Sequence, residues 1–364
     1  MEIHHSSFII HHSSLLRTSI PVFQMNKKIV LALFMGFLLR GGMALAQDPV
    51  FSQFYASPLQ LNPAFAGSAM APFIALNYRM QYPGFSDGGA AYSTFAASFD
   101  QHLAGLNSGI GLSLMTDDAG AGLMRKTYAS AHYSYKVSIN ENVAARIGVE
   151  AGFIQSNLDW NRLVFPDQID PSTGSTLPDG TRRPSSEIRP EQLNKTLFDM
   201  SMGLVVYGSN FHAGFVAKHL ATPDEGYINA NQNLRIGLPI RFTMHGGYEF
   251  TLKKATRYKL GSFVAPTVLL MKQGDFAQFT VGSFVGFGPI IGGMWYRHAY
   301  TTPESVILMM GFKQDFFKIG YSYDYTVGAL SGRTGGSHEI SLTINLDPGA
   351  AKRVDISDCF KIFR

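Results

Sequence analysis

Ser337-His338-Glu339-Ile340-Ser341-Leu342-Thr343-Ile344-Asn345-Leu346 sets Ile340, Leu342, Ile344 and Leu346 against Ser341, Thr343 and Asn345. A period of two places one set on each face of a strand, so the segment reads as a β-strand with one apolar and one polar side. The same alternation recurs. Over residues 142 to 158, Val143, Ala145, Ile147, Val149, Ala151 and Phe153 alternate with Arg146, Gly148, Glu150 and Gly152. Over 239 to 250, Ile240, Phe242, Met244, Tyr248 and Phe250 alternate with Arg241, Thr243, His245 and Glu249. Over 316 to 327, Phe317, Ile319, Tyr321, Tyr323 and Tyr325 alternate with Lys318, Gly320, Ser322, Asp324 and Thr326. Strands of this kind, in a chain that opens with an export signal, point to an all-β transmembrane antiparallel barrel.

About fourteen such segments, from Phe73–Arg79 to Ser337–Leu346, give the even number that single-chain bacterial barrels show. Tight turns are expected at Asn140-Glu141, Ser209, Phe287-Gly288 and Gln314-Asp315, after even-numbered segments. Longer joins, at Asp159 to Lys195, Leu220 to Leu238, Ala299 to Pro303 and Gly328 to Gly336, follow odd ones. Barrels keep their short turns on the periplasmic side, so this parity puts both chain ends in the periplasm.

Composition agrees with a lipid-facing surface. Charged residues make up 15% of the 364 residues, against roughly 25% in an average soluble domain. The net charge is +4 and carries no dense Lys/Arg cluster, which argues against a nucleic-acid partner. The single cysteine, Cys359, has no internal disulfide partner.

Five stretches are expected along the chain. Residues 1–24 repeat His4-His5-Ser6-Ser7 as His11-His12-Ser13-Ser14. These histidines lack an accompanying carboxylate or thiol, and a misassigned upstream start accounts for them better than a metal site. Residues 25–46 read as a signal peptide: Lys27 and Lys28, an apolar run from Ile29 to Leu39, then Ala44-Leu45-Ala46 as the cleavage site. Residues 47–72 hold Pro49, Pro58, Pro63 and Pro72 and so form no long element. They read as a periplasmic plug or docking segment, because Phe51, Phe54, Tyr55, Leu59, Leu61 and Phe65 require burial. Residues 73–346 form the barrel and 347–364 a periplasmic tail.

An Arg or Lys facing lipid near the midplane costs roughly 2–4 kcal/mol, so Arg146, Glu150, Arg241, Glu249 and Lys318 are assigned to the lumen. Their balanced signs favour mutual pairing over a solute filter. Tyr78, Tyr82, Tyr128, Trp295, Tyr296 and Tyr300 suit an interfacial girdle, although β-propensity alone explains them equally well. No catalytic or cofactor-binding pattern stands out. The nucleophile elbow and the helical zinc motif are missing. Ser337 with His338 is the remaining candidate for a hydrolase, which requires nucleophile and base to touch. Asp167, Asp170 and Asp179 match no calcium loop and read as solvated.

Two groups of residues carry a family resemblance. Phe51-Ser52-Gln53-Phe54-Tyr55 leads to Leu59-Gln60-Leu61-Asn62-Pro63-Ala64-Phe65-Ala66-Gly67 and then Tyr78-Arg79-x-Gln81-Tyr82-Pro83. Gly320-Tyr321-Ser322-Tyr323-Asp324-Tyr325 is followed by Gly336-Ser337-His338-Glu339-Ile340. From about Gln47 onward the chain resembles the PorP/SprF family of Bacteroidota, outer-membrane proteins of the type IX secretion and gliding machinery. The end, Cys359-Phe360-Lys361-Ile362-Phe363-Arg364, departs from the Cys-Pro-Arg-Phe-like ending of that family.

The resemblance implies a non-enzymatic barrel in a Gram-negative outer membrane, in contact with its lipid, that helps a surface protein such as an adhesin to be secreted or anchored. The implied partners are cargo with a C-terminal sorting domain and a periplasmic OmpA-like peptidoglycan-binding protein. Phe51, Gln53, Leu61, Asn62, Pro63, Gly67, Arg79, Asp324, His338 and Glu339 are the motif or docking residues it marks. The alternatives are an outer-membrane channel for a small or hydrophobic solute and a lipid-acting enzyme using Ser337 or His338.

Overall fold

The computed structural model describes residues 48–346 apart from 86–89, 121, 228–236, 254–260, 300–301, 315, 329–330 and 333. The signal peptide, the tail with Cys359, and Tyr300 lie outside these residues.

The strands are β1 (Phe73–Gln81), β2 (Tyr92–Leu103), β3 (Ser108–Ala119), β4 (Met124–Ser138), β5 (Val143–Leu158), β6 (Asn194–Gly208), β7 (Phe211–Lys218), β8 (Arg241–Tyr248), β9 (Phe250–Lys253), β10 (Ser262–Gln273), β11 (Phe276–Phe287), β12 (Ile290–Ala299), β13 (Thr302–Gln314), β14 (Phe317–Thr326) and β15 (Ser337–Asn345). β8 and β9 keep one register on β10, Gly247 opposite Thr267 and Phe250 opposite Val264, so they act as a single stave. The interruption, at Glu249, lies near Pro266 of β10, a residue with no amide hydrogen to give to a ladder. Each stave pairs antiparallel with its sequence neighbours. β1 closes the ring on β15, with Phe73 opposite Asn345 and Gln81 opposite Ser337. The result is a closed barrel of fourteen staves. Closure leaves no free sheet edge, and it satisfies the backbone polar groups without water.

The joins sort to two ends. Residues 82–91, 159–193, 219–240 and 327–336, the four longest, open at the end called here the loop end. The opposite, turn end carries 104–107, 139–142, 209–210, 254–261, 288–289 and 315–316. The expected long join at Ala299 to Pro303 is corrected: β12 runs to Ala299 and β13 begins at Thr302, so the strands take up most of that stretch. The register explains this, because β12 and β13 stay paired as far as Ala299 opposite Thr302. Gly274 and Gly288 supply the positive φ that the two-residue turns at 274–275 and 288–289 require.

The faces follow the alternation. Ile147, Val149 and Phe153 of β5, Phe242 and Met244 of β8, Ile319 and Tyr321 of β14, and Ile340 of β15 are exposed. Arg146, Thr243, His245, Lys318, Ser322, Asp324, Glu339 and Thr343 are buried on the other face. An apolar wall this extensive is the surface of a protein immersed in lipid. Among the described residues no helix is long and apolar enough to cross a membrane, and the strands make the crossing.

The girdle reading is corrected at three residues, of which Tyr82, just past β1, lines the interior at the loop end. Trp295 faces inward, its Nε1 donating to Thr267 Oγ1 at 2.9 Å, and it packs on Phe284 and Tyr55. Tyr128 is also turned inward, toward Phe51 and Met115. Both occupy the polar phase of their strands, where the barrel needs bulk to fill its interior. Tyr78 and Tyr296 do sit on the outer wall.

Candidate functional site

The interior is built around the chain's own beginning. Residues 48–72 thread the lumen from its loop half to the turn end, where they run into β1. Prolines divide the segment into one-turn pieces, Phe54–Ala56, Pro58–Leu61 and Pro63–Phe65. Its apolar residues meet inward side chains of the wall: Tyr55 lies edge-on to Phe284 at 4.4 Å between ring centroids, and Phe65 packs on His245. Burial of Phe54, Tyr55, Leu59, Leu61 and Phe65 supplies the apolar contribution to seating it.

Four anchors fix the segment to the wall. The first is a buried ion cluster. Glu339, 1% exposed, accepts from the backbone N–H of Ser52 at 2.7 Å and of Gln53 at 3.0 Å. Arg79 pairs with Glu339 at 3.2 Å and with Asp324 at 2.9 Å. Arg297 pairs with Asp324 and, at 3.1 Å, with Glu304. Ser52 Oγ donates to Asp324 at 2.6 Å. Both amide groups of Gln53 are engaged, the nitrogen donating to Ser322 Oγ and the Glu339 carbonyl, the oxygen accepting from Ser341 Oγ at 2.6 Å. Charges this deep in the lumen are tolerable because each one is paired and hydrogen-bonded.

The second anchor is Asp48. Its carboxylate meets His219 Nε2 at 2.6 Å and Arg241 at 2.9 Å, and Gln273 bonds both its backbone and its side chain. His219 Nδ1 reaches Asp199 at 2.8 Å. Burial pushes the Asp48 carboxyl up, but the Arg241 and His219 cations outweigh it and hold the group well below the usual carboxylate range. Burial pulls His219 down, yet Asp48 and Asp199 raise it to about 9, so the ring is cationic at neutral pH.

The third anchor is Asn62, fully buried. Its Oδ1 caps the Pro63–Phe65 turn by accepting from Ala64 N at 2.9 Å, and its Nδ2 donates to the Leu204 carbonyl at 3.2 Å and lies 3.1 Å from His245 Nε2. The fourth lies at the turn end. Arg146 donates to the Ala66 carbonyl at 2.6 Å and to Ser134 Oγ at 2.8 Å, while Gly67 N donates to Asp100 at 2.8 Å. Gly67 has φ +59°, and a Cβ there would lie 2.5 Å from Gly109 Cα. The wall is thinned to match: a Cβ on Gly148 would stand 2.2 Å from Ala64 N, and one on Gly203 2.0 Å from Asn62 Oδ1.

Of the motif residues marked from sequence, Phe51, Gln53, Leu61, Asn62, Pro63 and Gly67 lie in the lumen segment, and Arg79, Asp324 and Glu339 receive it. His338 does not join them. It faces outward, its Nδ1 2.8 Å from Tyr321 Oη, while Ser337 faces inward, so the two cannot work as nucleophile and base. Of the lumen charges, Arg146 and Arg241 hold the segment directly. Glu150 pairs with Lys218 at 3.2 Å, Lys318 lies 5.9 Å from the Tyr55 ring, and Glu249 is bonded through its backbone to Asn210 at the turn end. In the long loop Asp170 and Asp179 each close a local turn, onto Ser172 and Thr181, while Asp167 ties the loop across itself to Ser185 and Ser186. Asp48, His219, Asp199 and Arg297 were missed by sequence reasoning. Arg297 and Asp199 left a trace, each as a charge in the inward phase of its strand, β12 and β6.

Residues 44–344 match the family described as type IX secretion system membrane protein PorP/SprF. The chain belongs to that family. As a PorP/SprF barrel with a lipid-facing outer wall it resides in the outer membrane. No curated protein sequence matches the chain. Among solved structures it is similar to the CymD monoaromatic hydrocarbon channel, at 13% identity over 83% of this chain and 95% of that one, TM-score 0.45. It is also similar to the KdgM porin, at 7% identity over 76% and 99%, TM-score 0.34. A triple mutant of the Rhodopseudomonas blastica porin matches at 8% identity over 76% and 99%, TM-score 0.33.

Proposed function

We propose that the protein is a non-enzymatic accessory barrel of the type IX machinery that helps secrete a surface protein, such as an adhesin with a C-terminal sorting domain, or retain it at the cell surface. One observation carries this reading: the lumen is taken up by the chain's own residues 48–72, fastened through buried ion pairs rather than left as a solute path. A barrel filled in this way works through its rims. The loop rim has the long 159–193 segment, which presents Val164, Ile169 and Ile188 to solvent and is the surface assigned to cargo. The turn rim, with short joins and the exit of residues 69–72, is assigned to the periplasm with both chain ends, and there an OmpA-like peptidoglycan-binding protein docks.

Deleting the gene and quantifying sorting-domain proteins on the cell surface tests the reading; unchanged secretion and display of all of them refutes it. The second reading, a solute channel, is favoured by a cavity of about 540 Å³ at the loop end of the lumen. Conductance of the purified barrel in planar bilayers separates the two, a silent barrel supporting the accessory role and a large stable conductance the channel.

A further inference from the structure

The cavity above Asp48 is lined by side chains that the lumen anchors leave partly unused. We propose that it is a binding site for a neutral carbohydrate, entered from the loop end. Its volume, about 540 Å³, falls within the range of roughly 300–1,000 Å³ typical of small-molecule sites. Its lining offers neutral donors and acceptors, the side-chain amides of Gln81 and Gln278 and the hydroxyls of Tyr82 and Tyr92. A hydroxyl-rich ligand satisfies such a mixed set, because each of its hydroxyl groups both gives and accepts.

The charges exclude the other ligand classes. Arg79 and Arg297 are already neutralised by Asp324, Glu339 and Glu304, Lys126 by Glu225 at 2.7 Å, and Asp48 by His219 and Arg241. On the lining itself the carboxylates of Asp48, Asp117 and Glu304 match the cations of Arg79, Lys126 and Arg297 in number, which favours neither a phosphate nor a cation. Extended peptide is disfavoured too, since a closed barrel offers no sheet edge, and Glu339, the carboxylate that holds backbone N–H groups here, is committed to Ser52 and Gln53.

Aromatic rings complete the site. Tyr92 is on the inward phase of β2 yet 44% exposed, its ring open to the cavity. Tyr82 and Phe276 stand on the same lining. Aromatic faces take the C–H face of a pyranose while Gln278 and Gln81 hold its hydroxyls. Tyr82 also has φ +56°, a conformation a bulky residue keeps only where its surroundings impose it, and such residues concentrate at ligand sites.

The test is isothermal titration of the purified full-length barrel in detergent with maltotriose, mannotriose and chitotriose, beside an uncharged synthetic peptide. At least one trisaccharide is expected to bind, with Tyr92→Ala weakening it tenfold or more and Tyr92→Phe retaining it. Tyr92 is half exposed, so both variants are expected to keep the heat-modifiable mobility of a folded barrel. The proposal is overturned if no trisaccharide binds at millimolar concentration, if Tyr92→Ala binds as well as the parent, or if only the peptide binds.

Discussion

Replacing Arg79 with methionine probes the arrangement that seats the lumen segment. Methionine keeps the length and apolar stem of arginine but removes the guanidinium, leaving Arg297 alone to face Asp324, Glu339 and Glu304. Asp324 and Glu339 are essentially inaccessible to water, so the uncompensated carboxylates gain little from solvent. Removing one partner of a buried pair costs about 3–5 kcal/mol. Here the loss falls on the contacts of Ser52 and Gln53, because the same carboxylates hold them. At 1.4 kcal/mol per decade, the ratio of released to seated segment should rise by about two to three and a half decades.

The barrel carries its own reporter for this. Trp295 stacks 6.0 Å from Tyr55 of the segment, and replacing Trp160 with phenylalanine leaves it as the sole tryptophan. Urea titration of that variant in lipid vesicles should show Trp295 emission changing at lower denaturant in Arg79→Met, ahead of barrel unfolding. An Arg79→Met barrel whose Trp295 transition moves by less than the equivalent of about 1 kcal/mol refutes the view that the ion cluster seats the segment, since exposed pairs contribute only that much.

Further outcomes are expected. Gly148→Val should push Ala64 off the wall and cost about 1–3 kcal/mol, read as easier proteolytic cleavage within residues 48–69 of the folded barrel. Met202→Arg, on the outer wall of β6, should lower folding stability in vesicles by roughly 2–4 kcal/mol, while Glu187→Arg in the loop should not. The Asp48 anchor should weaken with alkali: His219 is raised to about 9, so its contribution is complete below its ordinary value near 6.5 and is lost as pH rises through 9. Asp48 is shifted the opposite way, so its share is lost only in acid, below the usual carboxylate range. Trp295 emission at pH 7 and pH 10 checks the alkaline limb, which His219→Gln should abolish.

The barrel was legible because lipid on one side and a polar lumen on the other impose a local rule, and Phe153, Phe242 and Ile340 obey it as plainly as Arg146 and Glu339 do. The aromatic residues were harder: Trp295 and Tyr128 suit either an interfacial girdle or a lumen, and only the phase of their strands distinguishes the two. The anchors were not legible as pairs. Ser52 meets Glu339, and Asp48 meets His219 and Gln273, across separations of 171 to 287 residues that leave no periodic trace. Gly148 was placed inward by its strand, where a lumen would ordinarily carry a filler, and that vacancy agrees with the burial that Phe54, Tyr55 and Phe65 of the segment demand.

The pairing of β1 with β15 ties the order of assembly to this interior. Ser52 and Gln53 emerge early in synthesis, but the carboxylate that receives their N–H groups belongs to the last strand. The segment therefore has no complete seat until the ring closes, and once it has closed the wall is continuous around it. Contacts so distant in the chain form slowly, and a nascent polypeptide ending before residue 339 would present its leading residues unsecured. Sealing the cylinder and enclosing its own beginning are a single event.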